Sequence, residues 1–341
     1  MRKGILVGGN WIVDQVKVID KYPSQEALAN ILSECSSNGG SAYNIIMDLH
    51  YLQSPFPLEA VGLVGDDDRG DKIISDCSAL SINTSQLKKM AGVSTSFTDV
   101  MSVKSTGMRT FFHQRGANAL LDESHFDFTT SNCKIFHLGY LMLLDKLDIV
   151  KEDGSTGAAD VLKRAKEQGF ITSVDLVSED SNRFTSVIPP SLPYIDYLFL
   201  NEFEAWMLSG ISTSTGDNQI SVEACYQAAQ KILGMGVKHW VIIHFPQAAL
   251  AVSIKGEKLY QPSLKVPAEN IAGSVGAGDA FAAGVLLGVH EEMPMQECLN
   301  IGVCTAASSM AQTTCSDGVQ PYNDCLALAE SYGYRQTSLI A

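Results

Sequence analysis

Short apolar runs rich in Val, Ile and Leu recur at residues 4–7, 59–64, 134–138, 170–174, 197–200 and 239–243. Each is too short for a helix and predicts a strand buried on both faces. Between them, residues 41–52, 158–168 and 221–233 carry apolar side chains at helical spacing. Strands and helices in alternation predict an α/β fold, a parallel sheet with crossover helices on both faces.

Two segments break this rhythm. Residues 13–22 and 95–115 alternate or carry β-branched and aromatic residues with no helix beside them. They predict a small antiparallel sheet, discontinuous in sequence and drawn from about 13–22 and 95–118, that can cover a site as a lid. No repeat, low-complexity tract or linker divides the chain, so residues 1–335 read as one domain carrying this lid and 336–341 as a loose tail.

Composition narrows the function. Of 341 residues, 45% are hydrophobic and 18% charged, ample material for a large core. A net charge of −14, with Lys and Arg scattered, opposes a nucleic-acid backbone and excludes that partner. A polyphosphate bound to such a protein must be neutralised locally, by Mg²⁺, backbone amides and a few cations. The 8 cysteines form no CxxC pair and no zinc-ligand grouping with histidine, so reduced thiols are expected. No apolar run reaches membrane-spanning length, and the first strand is too short for a signal-peptide core. A cytoplasmic protein with no membrane partner is expected.

The sharpest motif is Gly276-Ala277-Gly278-Asp279, which opens a small-residue apolar stretch through residue 288. Glycines let successive amides converge, and the helix N-terminus adds partial positive charge, so an anion is favoured there. Asp279 falls in the first turn, where a carboxylate serves equally as a cap. No GxxxxGK[ST] occurs, and the nearest approach, Gly65 to Lys72, carries acids where phosphate would sit. The dinucleotide fingerprint and the protein-kinase signatures are also absent. The seven histidines are dispersed; His137 and His239 adjoin apolar strands and read as structural.

Further motifs precede this one in order: Gly9-Asn10-Trp11-Ile12-Val13-Asp14, Gly39-Gly40-Ser41-Ala42-Tyr43-Asn44, and the strand and turn Val61-Gly62-Leu63-Val64-Gly65-Asp66-Asp67. Then come Gly107-Met108-Arg109-Thr110-Phe111, Gly116-Ala117-Asn118 and Asn201-Glu202-Phe203-Glu204. Together they resemble the PfkB/ribokinase family of carbohydrate kinases, over nearly the whole chain. The resemblance implies a three-layer parallel-sheet domain with a β lid, and transfer of the γ-phosphoryl of ATP to a hydroxyl of a sugar-like molecule, with Asp279 as general base. It implies that Asp14 holds substrate hydroxyls, that Gly39 and Gly40 approach the sugar and that Asn44 bonds it. The amides of Gly276, Ala277 and Gly278 would stabilise the transferring oxygens. Arg109 or Arg115 would stand near phosphate or sugar, a solvated strand arginine being the alternative. Asn201 and Glu204 would organise Mg²⁺, Glu204 through water, although both residue types also cap helices. The turn after Val64 is expected to be structural.

Two departures qualify the resemblance. Gly273-Ser274-Val275 stands where the family commonly has Asp-Thr-x, which removes the Asp beside a monovalent cation. His244-Phe245-Pro246 and Ala248-Ala249 replace a glycine-containing segment near the nucleotide phosphates, and Pro246 offers no amide donor. His244 therefore falls on the phosphate side. A nucleoside kinase of the same family, and a sugar-binding or regulatory protein with weakened catalysis, stay open as alternatives. A homodimer through the lid sheet is a further expectation.

Overall fold

The computed structural model describes residues 2–179, 181–215 and 219–336. Of the expected tail, residues 337–341 lie outside the described residues. In chain order the first strands are β1 (Ile5–Gly9), β2 (Ile12–Ile19), β3 (Ile31–Gly39), β4 (Leu58–Gly65), β5 (Asn83–Met90), β6 (Ser96–Val103) and β7 (Arg109–Gln114). They continue with β8 (Ile135–Leu141), β9 (Ile171–Leu176), β10 (Tyr197–Asn201), β11 (Trp240–Phe245), β12 (Ala248–Ser253) and β13 (Lys258–Pro262). The helices are α1 (Ser41–Tyr51), α2 (Asp68–Ala79), α3 (Gly157–Glu167), α4 (Phe184–Val187), α5 (Glu202–Ser209), α6 (Val222–Gly234), α7 (Ala277–His290), α8 (Met295–Ser309) and α9 (Tyr322–Tyr332).

Among the described residues, nine strands form the large sheet in the order β13-β12-β11-β10-β9-β8-β1-β4-β5. Pairing is parallel from β5 to β11 and antiparallel for β12 and β13. Successive residues of β1 point to opposite faces: Ile5 and Val7 join the core shared with α1, α7 and α8, and Leu6 joins the core shared with α3, α5 and α6. Both faces are covered, which is why the predicted strands read as continuous apolar runs. The chain builds outward from β1 in both directions, so the carboxyl ends of β1 and β8 form the switch point where such sheets open a crevice.

The second sheet has four strands in the order β3-β2-β6-β7. Its two outer pairings are antiparallel, and the central β2–β6 pair is parallel. β2, β6 and β7 occupy the two segments expected for a lid; β3 is an addition. Residues 31–36 of β3 are exposed and mostly polar, so no apolar alternation announces that strand. In the turn after β4, Asp67 accepts from the Gly70 amide at 2.9 Å, the Thr95 amide at 2.8 Å and the Thr95 hydroxyl at 2.6 Å. These bonds cap α2 and anchor the root of β6.

At the switch point Gly9 pairs with Gly139, and Gly9 has φ +123°. A Cβ on Gly9 would collide with the Gly139 carbonyl. Gly9→Ala is expected to destabilise the fold by about 2–4 kcal/mol, combining backbone strain with a steric clash. Denaturant melting of the two proteins measures this, and an unchanged midpoint would contradict it.

Candidate active site

The carboxyl ends of the parallel strands and the inner face of the small sheet enclose a cleft of about 1120 Å³. Of the residues singled out in the sequence, Asp14, Gly40, Asn44, Arg109, Arg115, Asn201, Glu204, His244, Gly276, Gly278 and Asp279 all line it. Gly39 and Ala277 do not. Gly39 backs onto Asp14, where a Cβ would strike the carboxylate, and Ala277 is the first residue of α7.

Gly276 caps α7 in the left-handed region at φ +76°, and any Cβ there would lie 2.8 Å from Cys315 Cβ. This close approach requires glycine. Asp279 follows in the first turn, buried, with Oδ2 accepting from Asn44 Nδ2 at 2.7 Å and from the Tyr140 hydroxyl at 2.9 Å. Its Oδ1 accepts no hydrogen bond from the described residues. Burial and the charge of Asp175 raise its pKa to about 7, against the lowering effect of those two donors.

Asn44 spends its amide inside the protein, because its Oδ1 also accepts from Asn38 Nδ2 at 2.7 Å. Asn44, expected to bond the substrate, lines the cleft and also orients the Asp279 carboxylate. Asp14, on β2, is buried beside Cys315 Sγ at 3.8 Å, and burial lifts its pKa to about 7 against the Thr98 hydroxyl and Cys315 thiol.

Asn201 and Glu204 form a reciprocal cap on α5. Asn201 Oδ1 accepts from the Glu204 amide at 2.8 Å, and Glu204 Oε2 accepts from the Asn201 amide at 2.9 Å. Glu204 Oε1 also accepts from Ser178 Oγ at 2.9 Å. Burial raises the Glu204 pKa to about 8. Among the described residues no group of three acids, histidines or cysteines is placed to hold a metal. One cavity-lining carboxylate with a spare lone pair on Oε2 fits a Mg²⁺ ion that keeps most of its waters. His244, next to last in β11, lies beside Asn201, its ring 5.3 Å from that of Phe281 and close under Gly278. Burial lowers its pKa to about 4, so it is a neutral imidazole.

Arg109 reaches from β7 to Gly273, with Nη2 2.7 Å from where a Cβ of Gly273 would stand. The departure at 273 thus has a steric counterpart, since the guanidinium fills the space of a missing side chain. Arg115 pairs with Asp145 at 3.1 Å, whereas Arg109 has no carboxylate partner among the described residues. Sequence reading missed Tyr140, Asp175 and Cys315, which the fold brings into this cluster. Asp175 carried a usable signal, being a polar residue at the carboxyl end of a buried strand; Tyr140 and Cys315 carried none. His137, read from the sequence as structural, bonds Ser173 Oγ at 2.9 Å through Nδ1, and its Nε2 lies 3.4 Å from Ser41 Oγ and 3.5 Å from Asp175 Oδ1.

A model of the pfkB family carbohydrate kinases matches residues 12–321. A ribokinase of Schizosaccharomyces pombe is 25% identical over 278 residues, 80% of this chain and 80% of the relative. A cytidine kinase of Thermococcus kodakarensis is 27% identical over 173 residues, 50% of this chain and 53% of the relative. Among solved structures, the Arabidopsis thaliana ribokinase complexed with ribose and ATP aligns with a TM-score of 0.77 at 21% identity, covering 96% of this chain and 99% of that one. The Methanocaldococcus jannaschii nucleoside kinase aligns with a TM-score of 0.73 at 19% identity, covering 96% and 98%. The two structures share the fold, large sheet and lid together.

The geometry makes a measurable statement about protonation. With aspartate labelled at the carboxyl carbon, NMR titration is expected to show two carboxyls with midpoints near 7, assigned to Asp14 and Asp279 by their loss in Asp14→Asn and Asp279→Asn. Titration of both in the ordinary acid range would contradict the burial argument.

Proposed function

The chain belongs to the pfkB family of carbohydrate kinases, which phosphorylate an alcohol of sugar-like substrates with ATP, and we propose that Asp279 is its general base. The observation that carries this reading is the Asp279 carboxylate, clamped through Oδ2 by Asn44 and Tyr140 and presenting Oδ1 to the cleft at the N-terminus of α7. The acceptor hydroxyl gives its proton to Asp279 Oδ1 as its oxygen bonds the γ-phosphorus; the bond to the β,γ-bridging oxygen breaks and ADP leaves. The amides of Gly276 and Gly278 would stabilise the transferring oxygens, as helix-terminal donors do for growing charge, whereas the Ala277 amide is spent on the Ser274 carbonyl at 3.4 Å.

Asp14, backed by Gly39, would hold other hydroxyls of the substrate, with Gly40 lining the cleft beside it. Asp14, Asp175, Glu204 and Asp279 line the cleft and bring no positive charge, so Arg109 supplies the counter-charge that a triphosphate needs. Glu204, its carboxylate fixed by Asn201, would hold Mg²⁺ through water, and the ion would supply the remaining charge neutralisation. Neutral His244 lines the phosphate side without adding charge. A second cavity of about 430 Å³, lined by Val266, Asn270, Ala307, Gln320 and Tyr332, shares Ile271 and Ala272 with the cleft and suits the nucleoside end of the donor. Phe111, an exposed aromatic ring that lines the cleft, favours a nucleoside acceptor as the second reading.

The proposal treats residues 1–335 as one catalytic unit, with the small sheet as its lid. It includes a cytoplasmic location, supported by eight unpaired cysteines. It also includes a homodimer through the lid, supported by the exposed Ile31 and Leu32 on edge strand β3.

Wild type with ATP and Mg²⁺ is expected to phosphorylate one member of a panel of sugars, sugar acids and nucleosides, and Asp279→Asn to lose roughly 10²–10⁴-fold in kcat while staying folded. A folded Asp279→Asn of undiminished activity would remove Asp279 from the role of base. Light scattering is expected to show a dimer that Leu32→Lys converts to monomer; a mass unchanged by the substitution would exclude this interface.

A further inference from the structure

Tyr140 stands out because its backbone is strained. It lies at the end of β8 with φ +53°, a conformation that costs a bulky side chain about 1–2 kcal/mol. Such outliers persist where surrounding structure over-determines them, and they cluster at functional sites. Here the determinants are visible. The register of β8 against β9 shifts between Leu138 and Leu141, a local irregularity of the kind that re-aims a side chain. Asp175, on β9, accepts from the Tyr140 amide through Oδ1 at 2.8 Å and from the Ser41 hydroxyl through Oδ2 at 2.7 Å. Asp175 thereby ties the strained residue to the first turn of α1.

That backbone carries the Tyr140 hydroxyl to Asp279 Oδ2, on the same oxygen that Asn44 bonds. Two donors on one oxygen fix the plane of the carboxylate and leave the other oxygen facing the cleft. We propose that Tyr140, held in its strained conformation by Asp175, is a positioning residue for the base: it aims Oδ1 of Asp279 at the acceptor hydroxyl and favours the ionised carboxylate in an acidic, buried setting. The inference rests on the kinase reading and on Asp279 as base.

The electrostatic surroundings give the hydroxyl its purpose. Asp279 faces Asp14 from β2, Asp175 from β9, Asp48 from α1 and Cys315 from the segment after α8, with Arg109 from β7 and His244 from β11 in the same cleft. Apart from Arg109 these are acidic or neutral groups, so Asp279 depends on hydrogen-bond donors to stay charged. The Tyr140 phenol is itself held far above its ordinary range by burial and by the charges of Asp279 and Asp175, and it remains a donor throughout the neutral region.

The pH dependence of turnover tests this. Base catalysis requires ionised Asp279, so wild-type activity rises with pH through about 7. Tyr140→Phe removes one donor to the charged form. Its acid limb is expected to move to higher pH, with kcat reduced by about tenfold below neutrality and recovering well above it. Asp175→Asn retains an acceptor for the Tyr140 amide but removes a neighbouring negative charge, so its acid limb is expected to move to lower pH. Opposite displacements support the proposal. A Tyr140→Phe profile that superimposes on wild type, or that falls uniformly at all pH values, overturns it. Should Tyr140→Phe fail to fold, a limb for Asp175→Asn that does not move overturns it on its own. Failure of the kinase reading is distinct, because wild type would then turn over no acceptor, or Asp279→Asn would be as active as wild type.

Discussion

A carboxylate withdrawn from water is costly unless its charge is met by donors, and Asp279 is buried among other acids at the N-terminus of α7. Much of the cleft is organised around that cost. The helix terminus supplies partial positive charge, Asn44 and Tyr140 supply hydrogen bonds, and Asn38 holds Asn44 in turn. The balance leaves Asp279 titrating near neutrality, where a group can be ionised in the resting enzyme and still accept a proton during transfer. A more exposed carboxylate would be a weaker base; one without these donors would be protonated.

The backbone geometry serves the same end. Gly9 and Gly139 let β1 and β8 meet without side chains between them, and a Cβ on Gly139 would strike Ser41 at the start of α1. Glycine at these points brings α1, with Asn44 on it, against the strand ends that carry Tyr140 and Asp175. Gly276 performs the corresponding service for α7 against Cys315. The lid completes the enclosure, rooted to the large sheet by Asp67 and Thr95, and it carries Arg109 across to Gly273. The acidic character of the cleft and the unpaired arginine are complementary, since a polyanion entering it needs cationic partners that the chain as a whole, at net charge −14, does not offer.

Buried strands and amphipathic helices were legible because burial writes itself into sequence with a fixed period. Every apolar run named in the sequence lies in a strand of the large sheet, and the helical stretches became α1, α3 and α6. β3 escaped because an exposed, polar edge strand has no such period, and β12 and β13 because they continue a sheet as antiparallel additions that the alternating rhythm does not announce. The cleft was largely legible too, since motif resemblance picked out most of the polar residues that line it, among them Asp14, Arg109, Arg115, Glu204 and Asp279. Resemblance did not reveal how they bond to one another: Asn44 binds the base, and Asn201 with Glu204 makes a reciprocal helix cap.

The sequence alone determined the alternation of strand and helix, the acidic balance that makes local charge compensation necessary, and the glycine-opened helix that carries Asp279. These are local properties, set by side-chain volume, hydropathy and backbone freedom over a few residues. Tertiary structure decided the pairing of Tyr140 with Asp279 across 139 positions, the tether from Asp175 and the reach of Arg109 to Gly273. Such contacts depend on strand order and on a register irregularity in β8. Hydrogen bonds between distant residues leave no periodic trace in the chain, because only the folded sheet brings their partners within bonding distance.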